Sequence, residues 1–286
     1  MMRLTEPLSF ERAIEICITG ITGNAAFKRS IEDVKINLLA EGERYLASSR
    51  NGELYLIDPV DLSHNPNPIV LNDLTKSDFV KLYETYFVPE EKPTREIYEK
   101  LLNSAKESCP FCGGIGTPRN LDHFLPKSHF PQFSILPSNL VPSCRDCNMD
   151  GKAAVFATKA DHQVIQPYLD QDRFFLDQWI FAQYKDGKIG EPGEFEYFVS
   201  APADWTDTDK RRAKKHFDDF NLGRRYAVKA AQNLGTIMSQ IKSLKLHGLT
   251  NKIICETILA SGVSEAQFPN HWQRGLYQAL ILHFSE

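Results

Sequence analysis

Apolar positions recur at helical spacing along most of the chain. "SFERAIEICITG" (9–20) predicts one helix, and "AAFKRSIEDVKINLLAEGERYLASS" (25–49) predicts a second, in which Ile31, Val34, Leu38 and Leu39 fall three and four apart. Between Asn-Gly and Asp-Pro turn signals, "GELYLID" (52–58) predicts a short strand. Helices are expected again at about 75–87 and 94–107, the latter opened by Pro93-Thr94. Beyond a block rich in Cys, His and Asn, "FFLDQWIFAQYKDGKIGEPGEFEYFVSA" (174–201) predicts two strands joined by a Gly/Pro turn. The remainder returns to helical patterning at 206–220, 223–248, 250–261 and 269–284. No repeat or low-complexity linker separates these parts, so they are expected to pack around the centre as one body.

The pattern implies an α+β, mainly helical protein in three stretches: 1–107, 108–160 and 161–286. Composition agrees, with 42% hydrophobic and 24% charged residues over 286 positions, enough for a real core. The N-terminal sequence lacks the pattern of a secretory leader, and no run of 18 apolar residues occurs, so a cytoplasmic protein without a membrane role is expected.

A net charge of −4 argues against nucleic-acid binding by bulk electrostatics. The sign is uneven, however. Residues 1–108 carry 13 Lys/Arg against 18 Asp/Glu, whereas 210–229 hold eight basic residues against Asp218 and Asp219. Lys210, Arg211, Arg212, Lys214, Lys215, Arg224 and Arg225 are therefore candidates to track a phosphate backbone. The same run also fits a solvated helix face or a docking surface for an acidic partner. Any affinity for phosphates must be local.

Cysteine usage changes the picture more. Cys17 and Cys255 stand alone in apolar helical patterns, but Cys109-Pro-Phe-Cys112 and Cys144-Arg-Asp-Cys147 are paired units. Two such turns can close a tetrahedron of thiolates around structural Zn²⁺, which fits a reducing compartment better than disulfides do. The 31 residues between them exceed the spacing of a compact zinc ribbon, so something must fold between the knuckles. That insert contains Asp122, His123 and Asn139. Asn148 follows directly, and Lys152 would lie on the same face if a helix begins there. "RNLDHFL" and "SNLVPS" are short enough to be the strands of a hairpin, which makes the order strand, loop, strand, helix.

The "LDHFLPKSHFP…NLVPSCRDCN…K" stretch resembles the HNH endonucleases of ββα-metal fold framed by four zinc-binding cysteines, as in Septu-type and retron-associated anti-phage defence. The resemblance covers about 109–160, with a second similar segment at 213–226. It implies His123 as general base, Asp122 as ligand of a catalytic Mg²⁺ or Mn²⁺, and Asn148 as a second ligand or a group that positions the phosphate. It further implies that Asn139 fastens the loop aiming His123 and that Lys152 contacts a phosphate, although Lys152 stands one residue further on than in the family pattern. An ATPase partner is implied too, for which the acidic N-terminal third is the candidate docking module. The chemistry is self-consistent, since phosphodiester hydrolysis needs an oxygen-held cation and a base that titrates near neutrality. One stereochemical demand follows: neighbours on a strand point to opposite faces, so Asp122 and His123 share a site only where the strand twists or ends. The expected activity is DNA cleavage, with an RNA (tRNA) endonuclease or a non-catalytic zinc-framed nucleic-acid-binding protein as alternatives.

Overall fold

Ser9 opens the first helix by accepting the Arg12 N–H at 3.3 Å, and α1 runs over Phe10–Gly20. The computed structural model describes residues 1–6, 8–152, 155–188 and 193–285, with only the backbone of Asp150 and Lys152. The single helix expected over 25–49 is two, α2 Ala25–Asp33 and α3 Lys35–Asn51. Val34 leaves helical geometry between them and is buried, which turns Ile31, Val34 and Leu38 together into the core.

The strand expected at 52–58 is corrected. Leu54–Leu56 forms a 3₁₀ turn in which Leu54 and Ile57 are buried while Leu56 faces solvent. Burial three positions apart is the rhythm of that turn and not the alternation of a strand. The strands of this region come later, as β1 Ile69–Leu71 and β2 Leu74–Thr75, joined through Asn72 at φ 50°. Thr75 and Asp78 form a capping box that starts α4 Lys76–Tyr86, followed by α5 Arg95–Ser104.

The centre of the chain contributes an antiparallel hairpin, β3 Asn120–His123 with β4 Leu140–Ser143, in register from Asn120 opposite Ser143 to His123 opposite Leu140. A helical turn of π geometry over Cys147–Lys152 follows it. After a short helix α6, Arg173–Leu176, comes a second hairpin, β5 Ile180–Lys185 with β6 Glu194–Val199. Helix α7 spans Asp207–Asp219, and Asn221 at φ 49° turns the chain into α8, Leu222–Leu246. Next come α9 Asn251–Ile254, a π segment at Cys255–Leu259, α10 Ala260–Ser264 and α11 Trp272–Ser285. Helices α8 and α11 pack on the β5–β6 hairpin.

One continuous cluster of buried side chains joins all three stretches, from Ile14 and Leu38 through Phe111 and Leu140 to Trp179 and Leu280. Asn270 ties down polar groups within it. The Trp179 amide donates to the Asn270 side chain at 2.8 Å, and the Trp179 indole N–H donates to the Phe174 carbonyl at 2.9 Å. Among the described residues no helix is long and apolar enough to cross a membrane.

Candidate active site and metal centre

The β3–β4 hairpin carries two sites, a cysteine cluster at one end and a groove along β3. At the Asn120/Ser143 end the chain runs into Cys144, and the sulfurs of Cys109, Cys112, Cys144 and Cys147 lie within 4.8 Å of one another, all buried. A tetrahedron with Zn–S bonds of ~2.3 Å has edges of about 3.8 Å, and Cys112 Sγ stands 3.9 Å from Cys144 Sγ. The four can hold a zinc ion with no open position.

Local sequence explains why the turns fit. Gly113 and Gly114 take positive φ after the first knuckle, and the Gly114 N–H donates back to the Cys109 carbonyl at 3.0 Å. Gly116 donates its N–H to Cys112 Sγ at 3.3 Å, and a Cβ there would meet Cys144 Sγ at 2.5 Å, so only glycine fits. Arg225 places Nη1 3.2 Å from Cys147 Sγ and Nη2 3.6 Å from Cys144 Sγ, offsetting thiolate charge. Behind the first knuckle, His216 donates from Nε2 to the Phe111 carbonyl at 2.8 Å. Its Nδ1 accepts the Ile165 N–H, a neutral ring satisfied at both nitrogens. Burial, aided by the nearby N-terminal amine and Arg212, pushes the His216 pKa down to about 3 against the opposing Phe111 hydrogen bond.

Along β3 runs a groove of about 370 Å³, lined by all four residues of the strand, Asn120 to His123. Asp122, His123 and Asn148 line it together, with Tyr83, Glu84, Tyr98 and Lys127 among its other walls. Asp122 and His123, the last two residues of β3, both line it. The His123 ring stands 2.9 Å by Nε2 from the Ser134 carbonyl, which can only accept. Nε2 is therefore protonated, and in the neutral ring the acceptor lone pair sits on Nδ1. Tyr83 packs edge to face on the imidazole at 4.5 Å. Burial raises the Tyr83 pKa, and Tyr98, Asp122 and Glu84 nearby raise it further, so the phenol stays neutral.

Asn139 lines neither the groove nor the cysteine cluster. It is fully buried, accepts the Leu125 N–H at 2.7 Å and donates to the Leu125 and Phe133 carbonyls at 3.1 Å each. It thus ties both ends of the loop that presents Ser134 to His123. Cys147 and Asn148 sit side by side on the π turn, one facing the cysteines and the other the groove. The side chain of Lys152 lies outside the described residues.

The basic run differs from its expected role at two positions. Arg212 has 2% side-chain exposure, pairs with Asp170 and donates from Nε to the Gln163 carbonyl at 3.0 Å, so it is a core ion pair and not a phosphate contact. Arg225 is likewise committed to the cysteines. Of the rest, Arg211 pairs with Asp161 at 3.2 Å, and Lys214 and Lys215 pair with Asp218 and Asp219 one turn on. Lys210 donates to the Ala203 carbonyl, and Arg224 is exposed.

Sequence reasoning missed Tyr83, Glu84, Tyr98 and Lys127 as groove residues. Lys127 lies inside the "LPKSHFP" stretch that pointed to the site, whereas α4 and α5 carry no chemical signal of their own. These helices, expected to dock a partner, form a wall of the groove.

Fold and site together define a mainly helical α+β protein with a closed four-cysteine centre suited to a metal ion, backed onto an open groove holding an acid, a histidine and an asparagine. It is 39% identical over 255 residues to protein ea31 of Escherichia phage lambda, covering 85% of this chain and 84% of that one, and it belongs to the family of that protein. No family model and no solved structure matches the chain.

Proposed function

We propose that this chain is a metal-dependent endonuclease of the HNH type that hydrolyses phosphodiester bonds of DNA, with Zn²⁺ on the four cysteines as a structural ion. The observation that supports this reading is the convergence of Asp122, His123 and Asn148 on one open groove along β3 of the cysteine-anchored hairpin. The Ser134 carbonyl holds the imidazole by Nε2–H, so Nδ1 takes the proton from a water attacking the phosphorus. Asp122 and the Asn148 amide oxygen are the donors that would hold Mg²⁺ or Mn²⁺. When bound, such an ion offsets charge on the non-bridging and leaving oxygens. Departure of the 3′ oxygen leaves a 5′-phosphate. A net charge of −4 and a basic run engaged in its own ion pairs support weak unaided binding. That fits an activity delivered by a partner, such as the ATPase of a phage-defence system that the resemblance implies.

The test compares wild type with His123→Ala on supercoiled plasmid, duplex oligonucleotides and tRNA, in Mg²⁺ and in Mn²⁺. Cleavage should fall on the order of 10²–10⁴-fold, with bound zinc and thermal midpoint retained. Cutting of tRNA alone moves the substrate to RNA. Equal behaviour of the two proteins on every substrate removes catalysis and leaves a binding protein.

A further inference from the structure

The groove contains an ion pair that the hydrolytic chemistry does not use. Lys127, four residues beyond the end of β3, places Nζ 2.8 Å from Glu84 Oε1 on α4. The same ammonium lies 4.9 Å from the centre of the Tyr83 ring, which also packs on His123 and Phe87. One tyrosine therefore spaces a cation from the imidazole, and all four side chains line the groove. Among the described side chains Lys127 is the one lysine or arginine on that lining.

An exposed pair of this kind adds little to stability, so holding the fold is a poor account of it. In a groove that receives a phosphodiester, Glu84 would repel the substrate and Lys127 would attract it. Paired, they cancel. A phosphate oxygen is the same kind of acceptor for the ammonium as the carboxylate, and Glu84 is 57% exposed, so it can turn outward to water when displaced.

We propose that Lys127 is the contact for the substrate phosphate and that Glu84 is its intramolecular competitor, a latch that nucleic acid must open to enter the groove. The ligand class is a phosphodiester backbone, read without regard to base sequence. This rests on the reading of the groove as a phosphodiester site, and binding measured without cleavage separates the two claims.

The experiment is fluorescence anisotropy of a labelled DNA duplex with the full chain carrying His123→Ala, in Mg²⁺, with Glu84→Gln, Lys127→Ala and both added. Both positions are partly or largely exposed, and circular dichroism checks the fold. Glu84→Gln should tighten binding about threefold. Lys127→Ala should weaken it about tenfold and make the slope of log affinity against log salt shallower by about 1. In the double variant the gain from Glu84→Gln should vanish, because competition needs the lysine. A gain that persists without Lys127 means plain repulsion and overturns the latch. So does unchanged affinity in Lys127→Ala, absence of duplex binding in every variant, or a Glu84→Gln that binds Mn²⁺ more weakly, which would make Glu84 an ion ligand. If the binding pattern holds while the chain with His123 intact cuts nothing, the nuclease reading falls and the latch stands. If the chain cuts DNA but Lys127→Ala leaves KM and affinity unchanged, the reverse is true.

Discussion

The cysteine cluster beyond Ser143 and the groove along β3 share a hairpin whose strands are four residues each, yet they differ in burial and in the groups they present. At the Ser143 end four sulfurs are buried and mutually in reach, with Arg225 and a backbone N–H supplying the charge and hydrogen bonds that thiolates need. Along β3 an acid, an imidazole and an amide face an open groove whose far wall comes from a different part of the chain. A closed, fully ligated centre can contribute folding energy but offers no vacant position for a substrate. An open site has the opposite properties. On the proposed reading, rigidity belongs to the cysteine cluster and chemistry to the groove, with the hairpin and the Cys147–Asn148 turn as the link between them.

The severest way to break that division is to remove a cysteine. Cys147→Ser, or exhaustive chelation, should cost more than any other perturbation, because apparent zinc binding energies at such sites are roughly 10–16 kcal/mol. Zinc analysis should fall from one ion per chain to none, near-ultraviolet circular dichroism should collapse, and cleavage should go with it. His123→Ala should leave both structural readouts intact. A Cys147→Ser protein that keeps its thermal midpoint and its activity would show that the two sites are independent.

Asn139→Ala sharpens the same contrast from the groove side. Its three hydrogen bonds are all buried, so truncation leaves the Leu125 and Phe133 groups without partners at a cost of about 2–4 kcal/mol. Urea unfolding should register that loss while zinc stays bound. Cleavage should fall as well, since the loop it ties presents the carbonyl that holds His123. Loss of zinc in parallel would mean that the two sites melt as one.

At the cysteine end the matching probe is pH. His216 titrates at about 3 in the folded protein against an ordinary 6.5. Above pH 6.5 the ring is neutral in both states and carries no penalty. As pH falls from 6.5 toward 3, the unfolded chain gains a proton that the folded chain refuses, so stability declines by up to about 1.4 kcal/mol per pH unit. Between pH 7.5 and 5 the loss should approach ~2 kcal/mol. His216→Gln, compared by urea midpoints at both pH values, should flatten this part of the dependence. An unchanged slope would assign the acid sensitivity to other groups.

How much of this was legible depends on how far apart the cooperating residues lie. The cysteine pairs, the acid–histidine neighbours and the two strands sit within 39 residues, Cys109 to Cys147, and each needs a particular residue type at a short spacing. Their grouping could be read directly. Tyr83 and Glu84 reach the groove from α4, whose sequence shows only an amphipathic helix, and nothing local marks the side chains that face a site. Arg212 failed for the same reason. Its partner Asp170 lies 42 residues earlier, so a run of basic residues conceals one buried ion pair. Leu54 to Ile57 and the break at Val34 show themselves only in which side chains the folded core buries, which local periodicity cannot distinguish from a strand or a continuous helix.

The smallest effects should come from the basic run itself, and they test whether charge in a sequence means charge available to a ligand. Lys214 and Lys215 each meet a carboxylate one helical turn on, at 2.6 and 2.5 Å. Such i,i+4 pairs contribute only ~0.3–0.5 kcal/mol. Because each lysine is matched by an aspartate, removing it leaves the face more acidic without deleting a formed phosphate contact. Lys214→Ala and Lys215→Ala should therefore shift stability by no more than about 0.5 kcal/mol and weaken duplex binding less than about twofold, with the salt slope unchanged. Lys127→Ala, whose ammonium lines the groove, provides the contrast on the same assay. If instead each α7 substitution makes the slope shallower by about 1, the pairs open on contact with DNA, and the phosphate track extends from the groove along α7.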